Sequence, residues 1–291
     1  HMVLREEHFA AMRINWQNKA ENIREIAKEL NIGLDSLVFI DDNPNERELV
    51  RQLLPEVHTV DLPKDASLYR RTIEELSDFE LLALTKEDET RVAQYQAQSK
   101  RQAAKSTSAS LDEYLHSLEI EIVIAPASRE ASARLVQLFN KTNQFNLTTQ
   151  RYQAEDVGKF MASAETTLYD LQVKDRFGDH GLVGAAVVRK RPGVWHIDSL
   201  LMSCRVMGLG IETAFLAQIC SDAAVGGVMR LVGEFRATKK NDPVKEFYAQ
   251  HGFGLLKEDE KHQEWELDLS QAAIARPAWI RVSEERTFDD R

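Results

Sequence analysis

The stretch Ser203–Leu216, "SCRVMGLGIETAFL", stands between an apolar strand-like run and a long helical pattern. Within it Arg205, Val206, Met207, Gly208, Leu209 and Gly210 form an R-x-x-G-x-G sequence. Glycines let a backbone turn tightly and approach a ligand closely. The amides at the following helix start then face an anion, with the helix dipole behind them. These six residues are a candidate loop for a pyrophosphate or for the phosphate of phosphopantetheine. A lone G-x-G serves many loops, so its surroundings decide what it means.

Upstream of the loop, "LEIEIVIAPA" has the pattern of a strand, and "SREASARLVQLFNKTNQF" that of a helix running into a polar loop. "TTLYDLQVKD", "HGLVGAAVVRK" and "GVWHIDSLLMS" follow as three successive strands. Beyond the loop come a helix, the strand "VMRLVGEF", the helix "DPVKEFYAQHGF" and the strand "KHQEWELDL". Residues 113–270 are therefore expected to form one mixed, mostly antiparallel sheet with flanking helices. The tail, 271–291, carries weak structure signals. Residues 1–62 read differently, as an α/β segment. Trp16, Ala20, Ile23, Ala27 and Leu30 have helical spacing, "SLVFIDD" suits a parallel strand buried on both faces, "NERELVRQLL" is a second helix and "VHTVDL" a second strand. Between them, 63–112 reads as a charged helical connector with a solvated face, and "STSAS" marks the break.

The formal net charge of -10 opposes a nucleic acid partner. No apolar run reaches the roughly 18 residues that span a bilayer, so no membrane is expected. Two cysteines make no disulfide framework, and with no leader pattern the expected place is the cytoplasm.

Three groups of residues carry candidate chemistry. Asp41 and Asp42 end a strand, where α/β sheets place ligands, and suit Mg²⁺; Lys19 could neutralise a phosphate. A helix-capping turn is the simpler use of such a pair. Asn143, Gln144, Asn146, Thr148 and Thr149 could line a polar substrate pocket, or satisfy their own turn. Cys204 precedes the anion loop, and a thiol beside a helix start and Arg205 is expected to have a lowered pKa and act as nucleophile. A buried apolar thiol is the alternative, and it suits Cys220. His196 and Asp198 share parity with Cys204 unless a bulge intervenes. His180, in "FGDHG", is placed on a hairpin loop as a competing base.

"FIDDNPNERELV", "KTNQFNLTTQRY", "FGDHGLVG" and "LMSCRVMG" resemble the FkbH-like family, over about residues 3–270. That resemblance implies an incomplete haloacid-dehalogenase-like (HAD-like) segment followed by a GNAT-like acyltransferase domain. It matches Lys19 to a phosphate-binding lysine and Asp41 and Asp42 to an acidic Mg²⁺ pair. The family's nucleophilic D-x-D motif has no counterpart before Asp41, so the chain is expected to start inside that domain, with its Mg site empty and no phosphatase activity. In the GNAT-like pattern Arg205–Gly210 bind pyrophosphate, Asn241 touches the pantetheine arm, and Tyr248 is a possible general acid. Phe247, Tyr248 and Phe253 also read as a plain core face. Leu209 stands where family members usually carry a second basic residue.

The resemblance implies glyceryl transfer in polyketide-type assembly, from a 1,3-bisphosphoglycerate-derived donor to the phosphopantetheine thiol of an acyl carrier protein, through an enzyme thioester. Lys141, Arg151, Arg189, Lys190, Arg191, Lys239 and Lys240 are candidate contacts for an acidic carrier. Two alternatives stay open. One is a CoA-dependent N-acyltransferase; the other is a non-catalytic carrier-docking module.

Overall fold

The structure, a computed structural model, describes residues 4–30, 32–80 and 91–283. Parts of the expected connector (81–90) and tail (284–291) lie outside the described residues. The chain divides into two compact units, His1–Ser106 and Thr107–Arg291.

In the first unit, helix α1 (Lys19–Leu30) and helix α2 (Pro44–Leu53) flank two short strands, β1 (Val38–Phe39) and β2 (His58–Thr59). The strands pair in parallel, Val38 with His58 and Phe39 with Thr59. Ala20 from α1 and Val50 from α2 join Leu54 and Val57 in a small core, against which Ile23, Leu37 and Phe39 pack. Asn43 starts α2 by accepting from the Asn45 amide, with Pro44 in the first turn. The expected doubly buried strand is shorter and only half-buried, because β2 alone pairs with it among the described residues. Helices α3 (Tyr69–Glu74) and α4 (Arg91–Thr107) fall in the stretch read as a connector.

The second unit opens with α5 (Leu111–Ser117) and β3 (Ile120–Pro126), then α6 (Ser132–Lys141), β4 (Phe145–Asn146) and α7 (Ala154–Ala162). The long antiparallel run β5 (Thr166–Asp175), β6 (Gly178–Arg191) and β7 (Val194–Met202) follows. Next come α8 (Ile211–Val225), β8 (Arg230–Arg236), the single turn α9 (Phe247–Gln250), β9 (Gly254–Glu258), β10 (His262–Asp268) and β11 (Ile280–Val282). The sheet order is β11-β3-β5-β6-β7-β8-β10-β9, with β4 on β7. Among the described residues of this sheet, only β11 with β3 and β7 with β8 run parallel. The mixed, mostly antiparallel sheet with flanking helices is thus the observed architecture. Strand β11 is the departure: the tail returns to pair Ile280 with Ile120 and extends the sheet.

Alternation along the strands fixes which face is covered. Leu168, Ala185, Val187 and Leu201 meet Leu135, Leu138 and Phe139 of α6 and Val157 of α7 in one core. On the opposite face, the Tyr248 ring lies on Gly233 so closely that an added Cβ would sit 2.2 Å from Cζ.

Strands β7 and β8 pair only from Val194–Ile197 to Arg230–Gly233 and then part, although both continue. The gap is bridged by the chain itself. Phe145 and Asn146 pair with Met202 and Leu201, the Leu147 amide donates to Leu200 O at 3.0 Å, and the Arg236 amide donates to Leu147 O at 2.8 Å.

Candidate functional site

Strand β7 ends at Met202, and a short 3-10 turn, Cys204–Val206, leads to the glycine loop. Gly208 (φ +73°) and Gly210 (φ +82°) both take the left-handed conformation that a side chain resists. A Cβ on Gly208 would meet nothing within 4 Å, so the loop is open there. At Gly210 it would lie 3.1 Å from both Pro277 and Trp279, and the Trp279 indole donates to Leu209 O at 2.8 Å. The tail therefore roofs the second glycine, and a side chain on Leu209 is buried. Arg205, expected to reach an anion, is turned inward. It is buried, and its Nε donates to Ser203 Oγ at 3.2 Å. Val206 is also buried, as an apolar residue following the turn.

Cys204 sits before the glycine loop as expected, but the shift of its thiol is opposite to the lowered pKa expected of it. Burial pushes the thiol pKa up, and the pull of Arg205 in the other direction is the smaller effect. Asp198 does not serve His196. It accepts from Arg189 Nε at 3.1 Å and from the Tyr152 hydroxyl. The β6–β7 register shifts at this point, Val188 pairing with Ile197 and Val187 with Ser199, so a bulge breaks the parity that was to align Cys204 with His196. His196 loses basicity, first through burial and then through Arg191. His180 is not on a hairpin loop. It lies in β6, fully buried, with Nε2 3.1 Å from Asp175 Oδ2.

Most of the polar loop satisfies itself. Asn146 Oδ1 accepts from the Thr149 amide (2.7 Å), Thr149 Oγ1 donates to Thr148 O (2.8 Å), and Asn143 accepts from Arg151. Gln144 is exposed. Thr148 alone keeps a buried hydroxyl with no partner. Asn241 is likewise consumed within the fold. Its Nδ2 donates to Asn146 O (2.8 Å) and Arg236 O (2.9 Å), and its Oδ1 accepts from the Thr238 amide (2.7 Å) and hydroxyl (2.9 Å). Asn241 staples the bridging segment to β8 and has no group left for a ligand arm. Tyr248 is buried against Phe247 and Phe253, yet its hydroxyl has no partner, and burial raises its pKa well beyond the ordinary tyrosine value. The register places Ile197 and Gly233 on the Tyr248 side and His196 on the other. Tyr248 and His196 thus lie on opposite faces of the sheet.

Among the basic residues, Arg151 donates to Phe139 O and Thr142 O at the end of α6, Arg189 pairs with Asp198, and Lys190 lies 4.9 Å over the Trp195 ring. Lys141, Arg191, Lys239 and Lys240 are exposed.

In the first unit, Lys19 Nζ is 3.8 Å from Asp41 Oδ2, and Asp41 Oδ1 accepts from the Asn43 amide at 2.8 Å. The Arg47 guanidinium donates to the carbonyls of Asp41 (2.8 Å) and Asp42 (3.0 Å). Asp41 closes the turn before α2, and Asp42 is exposed. Among the described residues, no group of three or more His, Cys, Asp or Glu could hold a metal ion. No helix among the described residues is long and apolar enough to cross a membrane.

No family model and no curated protein matches the chain. It is similar in part to solved structures. One is the ribosomal-protein-S18-alanine N-acetyltransferase from Escherichia coli, at 12% identity over 52% of this chain and 96% of that one, with a TM-score of 0.41. Another is the PaiA N-acetyltransferase from Thermoplasma acidophilum in complex with coenzyme A, at 13% identity over 50% and 98%, TM-score 0.39. A third is the N-terminal part of the protein BF1531 from Bacteroides fragilis, containing a phosphatase domain complexed with Mg, at 46% identity over 28% and 22%, TM-score 0.28. This chain spans about a fifth of that last chain.

Proposed function

We propose that the second unit is an acyltransferase acting at a phosphopantetheine thiol, carried by an acyl carrier protein or by coenzyme A. One observation carries the reading. Two parallel strands, β7 and β8, part from each other around the seated segment Phe145–Leu147, and β7 leads through a short turn into an open glycine turn at the start of a 15-residue helix. A glycine turn of this form at a helix start suits the phosphate end of such a ligand. The residues present fit the phosphate end, since Gly208 is open and its conformation resists substitution. Bound there, the arm would supply the thiol that accepts or yields the acyl group. On the motif resemblance Tyr248 would be the proton donor to a departing thiolate, while burial raises its pKa and so weakens it as an acid.

The finer reading follows the motif resemblance: a glyceryl group passes to a carrier-protein thiol in polyketide-type assembly. In that reading Cys204 would hold it between donor and acceptor. The carrier thiol would attack the Cys204 thioester. The new C–S bond forms as the bond to Cys204 Sγ breaks, and the departing Cys204 thiolate takes up the proton the incoming thiol gives up. A second reading is favoured by the burial around Cys204, which pushes its thiol pKa up. A thiol that resists ionisation is a poor first acceptor, and an amine attacking a CoA thioester directly would need none. Intact-mass spectrometry after incubation with a glyceryl thioester separates the two. A single adduct on wild type that persists in Cys220→Ala and is lost in Cys204→Ala supports the thiol route. Acyl transfer to an amine or a carrier by Cys204→Ala at the wild-type rate supports direct transfer. Carrier binding with no acyl movement in any variant would leave only a docking module.

A further inference from the structure

The fold sorts the basic candidates into two groups. Arg189, Lys190 and Arg191 end β6 at the turn into β7, where Arg189 is tied to Asp198 and Lys190 lies over Trp195. Lys141, Arg151, Lys239 and Lys240 gather at the other end of β7, whose 9 residues put the two groups about 26 Å apart along the strand. Because β7 and β8 run parallel, they finish on the same side of the sheet, β7 at Met202 and β8 at Arg236. The glycine loop follows β7, and Lys239 and Lys240 lie in the loop that follows β8. Lys141 ends α6. Buried Asn146 holds these pieces together. Its Nδ2 donates to Thr142 O at 3.2 Å, next to Lys141, and its carbonyl accepts from Asn241 Nδ2 at 2.8 Å, next to Lys240. Arg151 is fastened to the same place, donating to Thr142 O at 2.9 Å. All four basic side chains are exposed. The acidic neighbours are Glu234, which accepts from Arg236 at 3.0 Å, and exposed Asp242. In a chain of net charge -10, this end of the sheet is basic.

We propose that Lys141, Arg151, Lys239 and Lys240 form a docking surface for an acidic carrier protein whose phosphorylated thiol arm enters the loop at Gly208. The proposal rests on the reading of that loop as the phosphate site, and it selects a protein-borne arm. A phosphate attached to a protein brings that protein's surface down beside the glycine loop, and the basic cluster stands at that end of the strands. The group at the β6–β7 turn stands at the wrong end. Opposite charges across such a surface speed the encounter and fix the orientation, and salt weakens both effects. The backbone that carries the charges is held by buried Asn146 and Asn241, so they are presented in a fixed arrangement. A free phosphorylated arm has no acidic surface to meet them.

The test is calorimetric binding, at low salt, of an acidic carrier protein bearing phosphopantetheine and, separately, of 3′-dephospho-coenzyme A, which offers a phosphorylated thiol arm with no protein attached. The proteins are wild type, a triple variant (Lys141→Glu, Lys239→Glu and Lys240→Glu) and a far-end pair (Lys190→Glu and Arg191→Glu). Arg151 is left in place because it holds backbone carbonyls. The triple variant should bind the carrier at least about ten-fold more weakly, while its affinity for 3′-dephospho-coenzyme A stays that of wild type. Wild-type affinity for the carrier should fall as salt is raised, and the far-end pair should bind the carrier as wild type does. No carrier binding to wild type, or unchanged binding to the triple variant, would overturn the proposal. An equal loss for 3′-dephospho-coenzyme A would assign the lysines to the small ligand, and an equal loss in the far-end pair would make the effect one of net charge; either also overturns it. The loop reading is judged separately: it fails if Gly208→Val binds 3′-dephospho-coenzyme A as well as wild type.

Discussion

The indole of Trp279 donates to the carbonyl of Leu209 across 70 residues of sequence, at 2.8 Å. A tail with weak signals is thereby tied to the one loop whose conformation the proposed function needs. The tie is held from behind by β11, where Ile280 pairs with Ile120 and is itself buried. Trp279→Phe keeps a ring over Gly210 and loses the hydrogen bond, so stability should fall by about 0.5–1.5 kcal/mol. Trp279→Ala also uncovers Gly210 and should weaken 3′-dephospho-coenzyme A binding measurably. Urea unfolding and calorimetry check the pair. Unchanged affinity in Trp279→Ala would mean that the tail only completes the sheet.

Tyr248 and Gly233 make a second coupled pair. Gly233→Ala would put a Cβ 2.2 Å from the tyrosine ring carbon, with no flexible end to give way, and should destabilise by about 1–3 kcal/mol or more. Tyr248→Phe should do the opposite. It removes a buried hydroxyl that has no partner, so stability should hold or rise by up to about 1–2 kcal/mol. Acyl transfer should slow in the same variant if the hydroxyl is the proton donor. A stabilised variant with full transfer activity would reduce Tyr248 to packing.

Much of the second unit was legible in the sequence because its strands are long apolar runs and its helices carry clear periodicity; β5, β6 and β7 and helix α8 fall on the stretches read for them. Short or context-dependent features were not legible. Strand β11 has three residues and forms only because β3 offers a free edge. The bulge at Asp198 leaves no compositional mark, and it undid the parity argument for the Cys204 group. Asn241 and Arg205 show why a motif position does not fix a role: each side chain is used by its own neighbourhood first, one as a staple and one turned inward.

Asn241 yields a prediction of its own. Asn241→Ala removes donors to two carbonyls, Asn146 O and Arg236 O, and an acceptor for Thr238. With buried groups left unpaired, a loss of about 2–4 kcal/mol is expected in urea unfolding. The variant should also loosen the Phe145–Leu147 bridge, seen as faster exchange of the Leu147 and Arg236 amide protons. A stable variant with protected amides would remove the staple from the account.

The thiols give a pH dependence whose sign follows from their raised pKa values. A thiol near the ordinary value, about 8.5, is alkylated quickly at pH 8. Cys204 should react slowly there and accelerate only as pH rises beyond that value, since burial disfavours its thiolate. Cys220, pushed up to about 12, should stay protected further still. Iodoacetamide labelling followed by peptide mass spectrometry from pH 7 to 10 reads both. Rapid labelling of Cys204 at pH 7 would restore the thiolate nucleophile expected from its position before the helix.

The most direct test of the acyltransferase account is the mass of a carrier protein bearing phosphopantetheine, measured after incubation with a synthetic glyceryl thioester and this chain. The account predicts one glyceryl group gained by the carrier with wild type, and a large loss of that gain with Gly208→Val, whose strained, filled turn cannot take the phosphate. No gain with wild type, or an equal gain with Gly208→Val, would contradict it.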